Sequence, residues 1–246
     1  MKVLILINKV GLGDCIIHLN YIHEISKKYE KPVSILAKEN TRAKDLFQDD
    51  PHIKEVITLD RLEDETGSHD GLNGFIKLIK DIKEKKFDKV FIFNSSVRYF
   101  LVCKFAGIKK IAQYPLFKKK GQHVVNTAKI FTENEIDKIV STQPKLFVNQ
   151  DKILKAQKNM SLNNKCIVLG ISASGPTKRW EIKNFIKLSE KINQKFPSKF
   201  YLAAGKNDQN LINEISNSHI GAHCISLNNL KINEMLPIIA NCNLYC

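Results

Sequence analysis

Short apolar runs alternate with segments of helical period along almost all of this 246-residue chain, and that alternation limits its fold more than any other feature. A strand buried on both faces reads as a continuous apolar run, whereas a covering helix reads as apolar residues three and four apart. Val3 to Ile7 is the first such run. It leads into the loop Asn8-Lys-Val-Gly-Leu-Gly-Asp14 and a helix expected from Cys15 to about Tyr29, with Ile17, Tyr21 and Ile25 facing inward. Strands are expected at 32–38, 55–60, 89–94 and 109–114, and helices at 41–48, 71–86 and 97–106. A polar loop, 61–70, separates the third strand from its helix. The pattern weakens over 121–157, where a helix near 123–131, a connector containing Pro144 and another short helix are expected. It restarts with strands at 165–171, 199–204, 223–227 and 243–246, and helices at 181–196, 208–217 and 231–240.

Such alternation implies an α/β protein with parallel sheets covered by helices on both faces. Two Rossmann-like halves, 1–150 and 160–246, account for it better than one continuous sheet. The last strand has no covering helix after it, so the second half is expected to be incomplete.

A strand, a small-residue loop and a helix together aim free backbone N–H groups and a helix dipole at whatever lies beyond the strand. That arrangement is expected twice. In the second half the loop is Ser172-Ala-Ser-Gly-Pro-Thr-Lys-Arg-Trp180, where Gly175 gives room, Thr177 a hydroxyl, and Lys178 and Arg179 charge. Anion binding is favoured there over an ordinary turn with solvated cations. In the first half Gly11 and Gly13 permit close approach of a ligand. Asp14 falls at the expected N-cap, where its carboxylate either caps the helix or faces the ligand. Arg98, just beyond a strand, either grips an anionic group bidentately or simply opens a surface helix. Asp208, at a helix start, reads more readily as an N-cap than as a ligand contact.

Apolar residues make up 43% and charged residues 26%, as in ordinary soluble globular proteins. No apolar run approaches the ~20 residues needed to cross a bilayer, and the N-terminus enters a strand directly, without a secretory signal. The six cysteines form no CxxC pair. Reduced thiols in a cytoplasmic protein, with no metal site, are therefore expected. The net charge is +14, carried almost wholly by lysine, since only Arg42, Arg61, Arg98 and Arg179 are arginine. The basic residues are spread over many helices apart from Lys118 to Lys120. No nucleic-acid-binding motif accompanies them, so nucleic acid is not expected as a partner. A phosphorylated substrate or an anionic membrane surface would profit from the same field.

In order along the chain, Gly13-Asp14, the strand and arginine of Phe87-Asp-Lys-Val-Phe-Ile-Phe-Asn-Ser-Ser-Val-Arg98, and Phe105-Ala-Gly-Ile-Lys-Lys110 resemble glycosyltransferase family 9, the lipopolysaccharide heptosyltransferases. Gly175-Pro-Thr-Lys-Arg-Trp180 is the most specific part of the likeness, and Ala203-Ala-Gly-Lys-Asn-Asp208 occupies the place of the family's Gly-Gly-x-x-Asp/Glu turn. The double glycine is Ala204-Gly205 here, and the family's later Asp-Ser/Thr-Gly loop is absent from this sequence.

The resemblance implies a GT-B-like fold of two domains facing a cleft, and an inverting, metal-independent sugar transfer that needs no cofactor. The donor would be a nucleotide-diphosphate sugar, ADP-heptose, and the acceptor a lipid-anchored saccharide, with the enzyme in the cytoplasm and peripheral to the inner face of the cell membrane. Asp14 would be the catalytic base. Gly175, Thr177, Lys178 and Asp208 would bind the donor, and Gly13 and Arg98 the acceptor. Without the later loop, the 246-residue chain is expected to be a poor catalyst. Two other classes stand beside this reading. A nicotinamide-dependent oxidoreductase would use Gly11-x-Gly13 with Glu39 on the ribose, although Ile16 stands where the third glycine of that fingerprint belongs. A non-catalytic basic scaffold would explain the charge alone.

Overall fold

The first apolar run becomes a strand with no face toward water. Val3–Ile7 forms β1, and all five of its side chains are buried. A computed structural model describes residues 1–8, 11–62, 64, 66–115, 123–160, 164–173 and 175–246, with only the backbone of 176 and 206. Residues 9 and 10 of the first glycine loop, Ser174 of the second, and the Lys118 to Lys120 cluster lie outside the described residues.

The chain divides into two units, Met1–Phe147 and Val148–Cys246. The first contains β1, α1 (Leu12–Lys28), β2 (Val33–Lys38), α2 (Ala43–Leu46), β3 (Ile53–Leu59), α3 (Gly71–Lys85), β4 (Lys89–Ile92), α4 (Val97–Phe105), β5 (Lys110–Gln113) and α5 (Val124–Ile136). The second contains α6 (Gln150–Lys158), β6 (Lys165–Gly170), α7 (Ile182–Lys195), β7 (Ser198–Ala203), α8 (Gln209–Ser216), β8 (Cys224–Ser226), α9 (Ile232–Ala240) and β9 (Leu244–Tyr245).

In the first unit the strand order is β3-β2-β1-β4-β5 and every pairing is parallel. In the second it is β8-β7-β6-β9, again parallel throughout. Both orders reverse direction at the first strand of their unit. The loops leaving β1 and β4, and likewise the loop leaving β6, therefore start at a switch point, where open α/β sheets bind ligands. Each unit has its own core. Leu4, Leu6, Val90 and Ile92 of the first sheet pack on Leu78 and Ile82 of α3 and on Tyr99 and Val102 of α4. Ile167, Leu169, Phe200 and Leu202 of the second pack on Ile182 and Phe185 of α7 and on Ile212 and Ile215 of α8.

Three elements differ from the expectation. Helix α1 begins at Leu12 rather than Cys15, with Gly11 as its N-cap, so Gly13 and Asp14 lie inside the first turn. The expected helix at 41–48 shrinks to Ala43–Leu46, because Arg42 takes a left-handed backbone conformation (φ 56°) after a 3-10 turn at Glu39–Thr41. Helix α5 runs on to Ile136, where Asp137 ends it, also left-handed at φ 54°. The polar connector of the first unit is anchored at its end. Phe147, its last residue, meets the rings of His23 and His52 edge-on at 5.4 and 5.7 Å.

Candidate functional site

At the C-terminal edge of β6 the chain turns through a 3-10 segment, Pro176–Lys178, closed by the Lys178 N–H donating to the Gly175 carbonyl at 3.0 Å. Asp208, which follows β7 in the same unit, holds this loop. One of its carboxylate oxygens accepts from Ser172 Oγ at 2.5 Å, and the other pairs with the Arg179 guanidinium at 3.2 Å. Arg179 Nε also donates to the Ala173 carbonyl at 3.0 Å. Asp208 thus occupies the N-cap position of α8 without capping it; its carboxylate serves as the loop's anchor. Gly205 makes room for that carboxylate, since a Cβ there would come within 3.0 Å of it.

With Arg179 committed to Asp208, Thr177 and Lys178 are exposed polar residues of the loop among those described. Glu181 sits at the N-cap of α7 but does not cap it with its side chain, pairing instead with Lys183. The helix N-terminus, the Thr177 hydroxyl and the Lys178 ammonium are therefore brought to one strand edge, a donor set suited to a diphosphate. Trp180 closes the loop, half exposed, its indole edge-on to Phe185 at 5.0 Å. A Cβ at Gly175 would meet nothing within 4 Å, so its small size serves no contact inside the protein.

In the first unit the Asp14 carboxylate accepts the N–H of its own N-cap, Gly11, at 3.2 Å. A carboxylate has further acceptor positions beyond the one this bond uses. Nothing lies within 4 Å of a Cβ built on Gly13, which leaves that side of the turn open to a ligand. One turn on, the ring of the fully buried His18 meets Phe93 edge-on at 5.1 Å, and its Nδ1 lies 2.6 Å from the Asp14 carbonyl. The neighbouring loop, after β4, is shaped by Asn94, whose Oδ1 accepts from the Ser96 N–H, and by Gln113, whose amide donates to the carbonyls of Asn94 and Ser96. Asn94 was not singled out from the sequence, which made it the last residue of the strand; the structure ends β4 at Ile92.

Arg98, the second residue of α4, is half-buried rather than a free surface arginine. Its Nη2 donates to the carbonyls of His69 and Gly71 at 2.8 and 3.0 Å, and its guanidinium lies 5.2 Å from the centre of the Phe75 ring. It braces the 60–71 loop. The same loop is held from within by Asp70, which accepts from Arg61 Nε at 2.7 Å and from the N–H groups of Leu62 and Gly67. Burial pushes the Asp70 carboxyl up, but these bonds outweigh it and hold the group below its ordinary range. Arg61 and Asp60 line one wall of an open hollow of about 520 Å³ whose other wall carries Lys38, Glu39 and Arg42.

Residues 75–245 match the sequence profile of glycosyltransferase family 9 (heptosyltransferase). Among solved structures, the ADP-heptose LPS heptosyltransferase II of E. coli is similar with a TM-score of 0.78 at 19% identity, over 100% of this chain and 78% of that one. A glycosyl transferase family 9 protein from Veillonella parvula gives 0.78 at 15% identity, over 99% and 74%. The E. coli heptosyltransferase WaaC with ADP gives 0.69 at 11% identity, over 100% and 80%. At these identities the likeness is one of fold, and it is the GT-B type with two parallel-sheet units. No curated protein matches the chain by sequence.

Proposed function

The chain belongs to glycosyltransferase family 9, and from that premise we propose that it transfers heptose from ADP-heptose to a saccharide of a lipid-anchored, lipopolysaccharide-core acceptor by one inverting displacement without a metal. The observation that carries this reading is the β6–α7 loop: a pinned turn at a switch point that leaves Thr177, Lys178 and a helix N-terminus for an anionic ligand. Support for the donor comes from the relatives of like fold, which include WaaC with ADP and with ADP-2-deoxy-2-fluoro heptose.

The proposed transfer has a donor half and an acceptor half. An acceptor hydroxyl attacks the anomeric carbon, the bond from that carbon to the diphosphate oxygen breaks, and its electron pair leaves with ADP. Charge grows on the departing diphosphate, where Lys178 and the α7 N-terminus stabilise it more in the transition state than before. The hydroxyl's proton passes to Asp14, whose carboxylate is held at the start of α1 by the Gly11 N–H. Gly13 lets the acceptor approach, and Arg98 fixes the loop that flanks it. The nicotinamide alternative is not favoured. Its proposed ribose ligand, Glu39, accepts instead from Thr58 Oγ1 at 3.3 Å.

Calorimetric titration with ADP tests the donor half. Lys178→Ala should raise the Kd for ADP about tenfold to a hundredfold, the worth of a charge-assisted hydrogen bond of roughly 1.5–3 kcal/mol, with the melting temperature unchanged. Equal Kd values for the two proteins would remove Lys178 from the site, and binding of NAD in place of ADP would overturn the transferase reading.

A further inference from the structure

We propose that the outer side of α3 and α4 is a docking surface for an anionic lipid bilayer. A surface helix in a protein of this kind should be polar on its outer side, since its inner stripe already supplies the core. Helix α3 keeps the inner half of that rule, burying Gly74, Leu78 and Ile82. Its outer side breaks it: Leu72 is 82% exposed and Ile76, one turn later, 52%. Helix α4 repeats the anomaly with Phe105, 58% exposed, and Val97, 54%. The two helices meet through Phe75 and Phe105, whose rings lie edge to face at 6.5 Å, which sets Phe105 of α4 against the helix that carries Leu72 and Ile76. Exposed apolar residues gathered in this way mark an interaction surface rather than ordinary scatter.

The charge around them identifies the partner. Lys77, Lys80 and Lys83 of α3 and Lys104 of α4 are all exposed, and Lys104 Nζ lies 6.0 Å from the Phe100 ring centre. On α3, Asp81 is taken up by His69 at 2.9 Å and Lys85 by Glu55 at 2.7 Å, leaving Glu84 as the exposed acid near the end of the helix. Apolar side chains flanked by lysines are the composition that enters a headgroup layer, where each lysine meets anionic lipid. Protein interfaces, by contrast, are depleted of lysine. A second copy of this chain would set the same lysines against one another on molecules of net charge +14. Among the described residues no helix is long and apolar enough to cross a membrane, so the attachment is to the surface. The proposal rests on the proposed function in one respect, that a lipid-anchored acceptor lies in a bilayer, but its test reads vesicle binding and neither ADP binding nor turnover.

The test is co-sedimentation of the whole chain with phosphatidylcholine vesicles, with and without phosphatidylglycerol. The chain should bind only the anionic vesicles. Replacing Lys77, Lys80 and Lys83 with glutamine should weaken that binding by about a hundredfold, and Leu72→Ser with Ile76→Ser should weaken it while leaving the charge intact. Circular dichroism and melting curves would establish that both variants fold. Failure of the wild-type chain to bind anionic vesicles, or equal binding by all three proteins, overturns the proposal. So does a dimer of the wild-type chain, seen by analytical ultracentrifugation, that Leu72→Ser with Ile76→Ser dissolves without changing vesicle binding.

Discussion

At the scale of single residues, Asp14 has two duties that one substitution separates. Its carboxylate accepts the Gly11 N–H, a bond that an asparagine side chain makes equally well. Asp14→Asn should therefore leave the melting temperature and the Kd for ADP almost unchanged. In a version of the protein that carries the family's later loop, turnover should fall by about 10²–10⁴, since the amide cannot take the acceptor's proton. Turnover at the wild-type level in that variant would reduce Asp14 to a helix cap. His52 offers a second residue-scale test, of stability. Burial first, and then the neighbouring His23, lower its pKa, with Lys27 acting in the same sense and Asp50 and Glu24 against it. The folded protein thus prefers neutral His52. Its contribution is present above the unfolded value of about 6.5 and is lost as pH falls through the lowered folded value. Urea midpoints of the wild-type chain should drop as pH is taken below about 6.5, and His52→Gln should flatten part of that slope. Parallel slopes would mean that His52 titrates freely.

Among elements, the β6–α7 loop depends on a carboxylate from far along the chain. Asp208→Asn removes the ion pair with Arg179 while keeping an acceptor for Ser172. The expected outcome is weaker ADP binding together with faster amide exchange over 172–180 in the ligand-free protein. Weaker binding without faster exchange would make Asp208 a direct donor contact. Elements of this size were largely legible in the sequence: β1, β2 and β6 are buried on both faces, and such strands read as nearly continuous apolar runs, the buried Ser34 of β2 being satisfied by Glu55. The start of α1 was not, because Asp14 reads as the cap by residue type, whereas the backbone places the cap at Gly11. Nor was the fate of 41–48, whose Ala43, Leu46 and Phe47 suit a helix that Arg42 interrupts. The lock on the donor loop was invisible for a different reason. Ser172 and Asp208 are 36 residues apart and meet only because β6 and β7 pair in parallel, in register from Lys165–Ser198 to Gly170–Ala203. Arg98 shows the same limit: the sequence marked it as a cation, but not that its donors go to carbonyls of the 60–71 loop.

For the whole molecule, two units with separate cores mean that a ligand held by one need not stabilise the other. ADP at about a hundred times its Kd should stabilise the unit that binds it by about 2.7 kcal/mol. Exchange measurements with and without ADP should show slower amide exchange within Val148–Cys246, centred on 171–180 and 204–209, and little change in β1 or α3. Slowing confined to the first unit would place the nucleotide there and reverse the assignment of roles. The chain has a single tryptophan, and it is the half-exposed Trp180 stacked edge-on against Phe185 at the end of the donor loop. Emission excited at the red edge of the indole band therefore comes from one place in the molecule, two residues from Lys178. Nucleotide entry, loop loosening by Asp208→Asn and denaturation of the second unit can each be followed there in real time, with no dye attached and no background from the first unit.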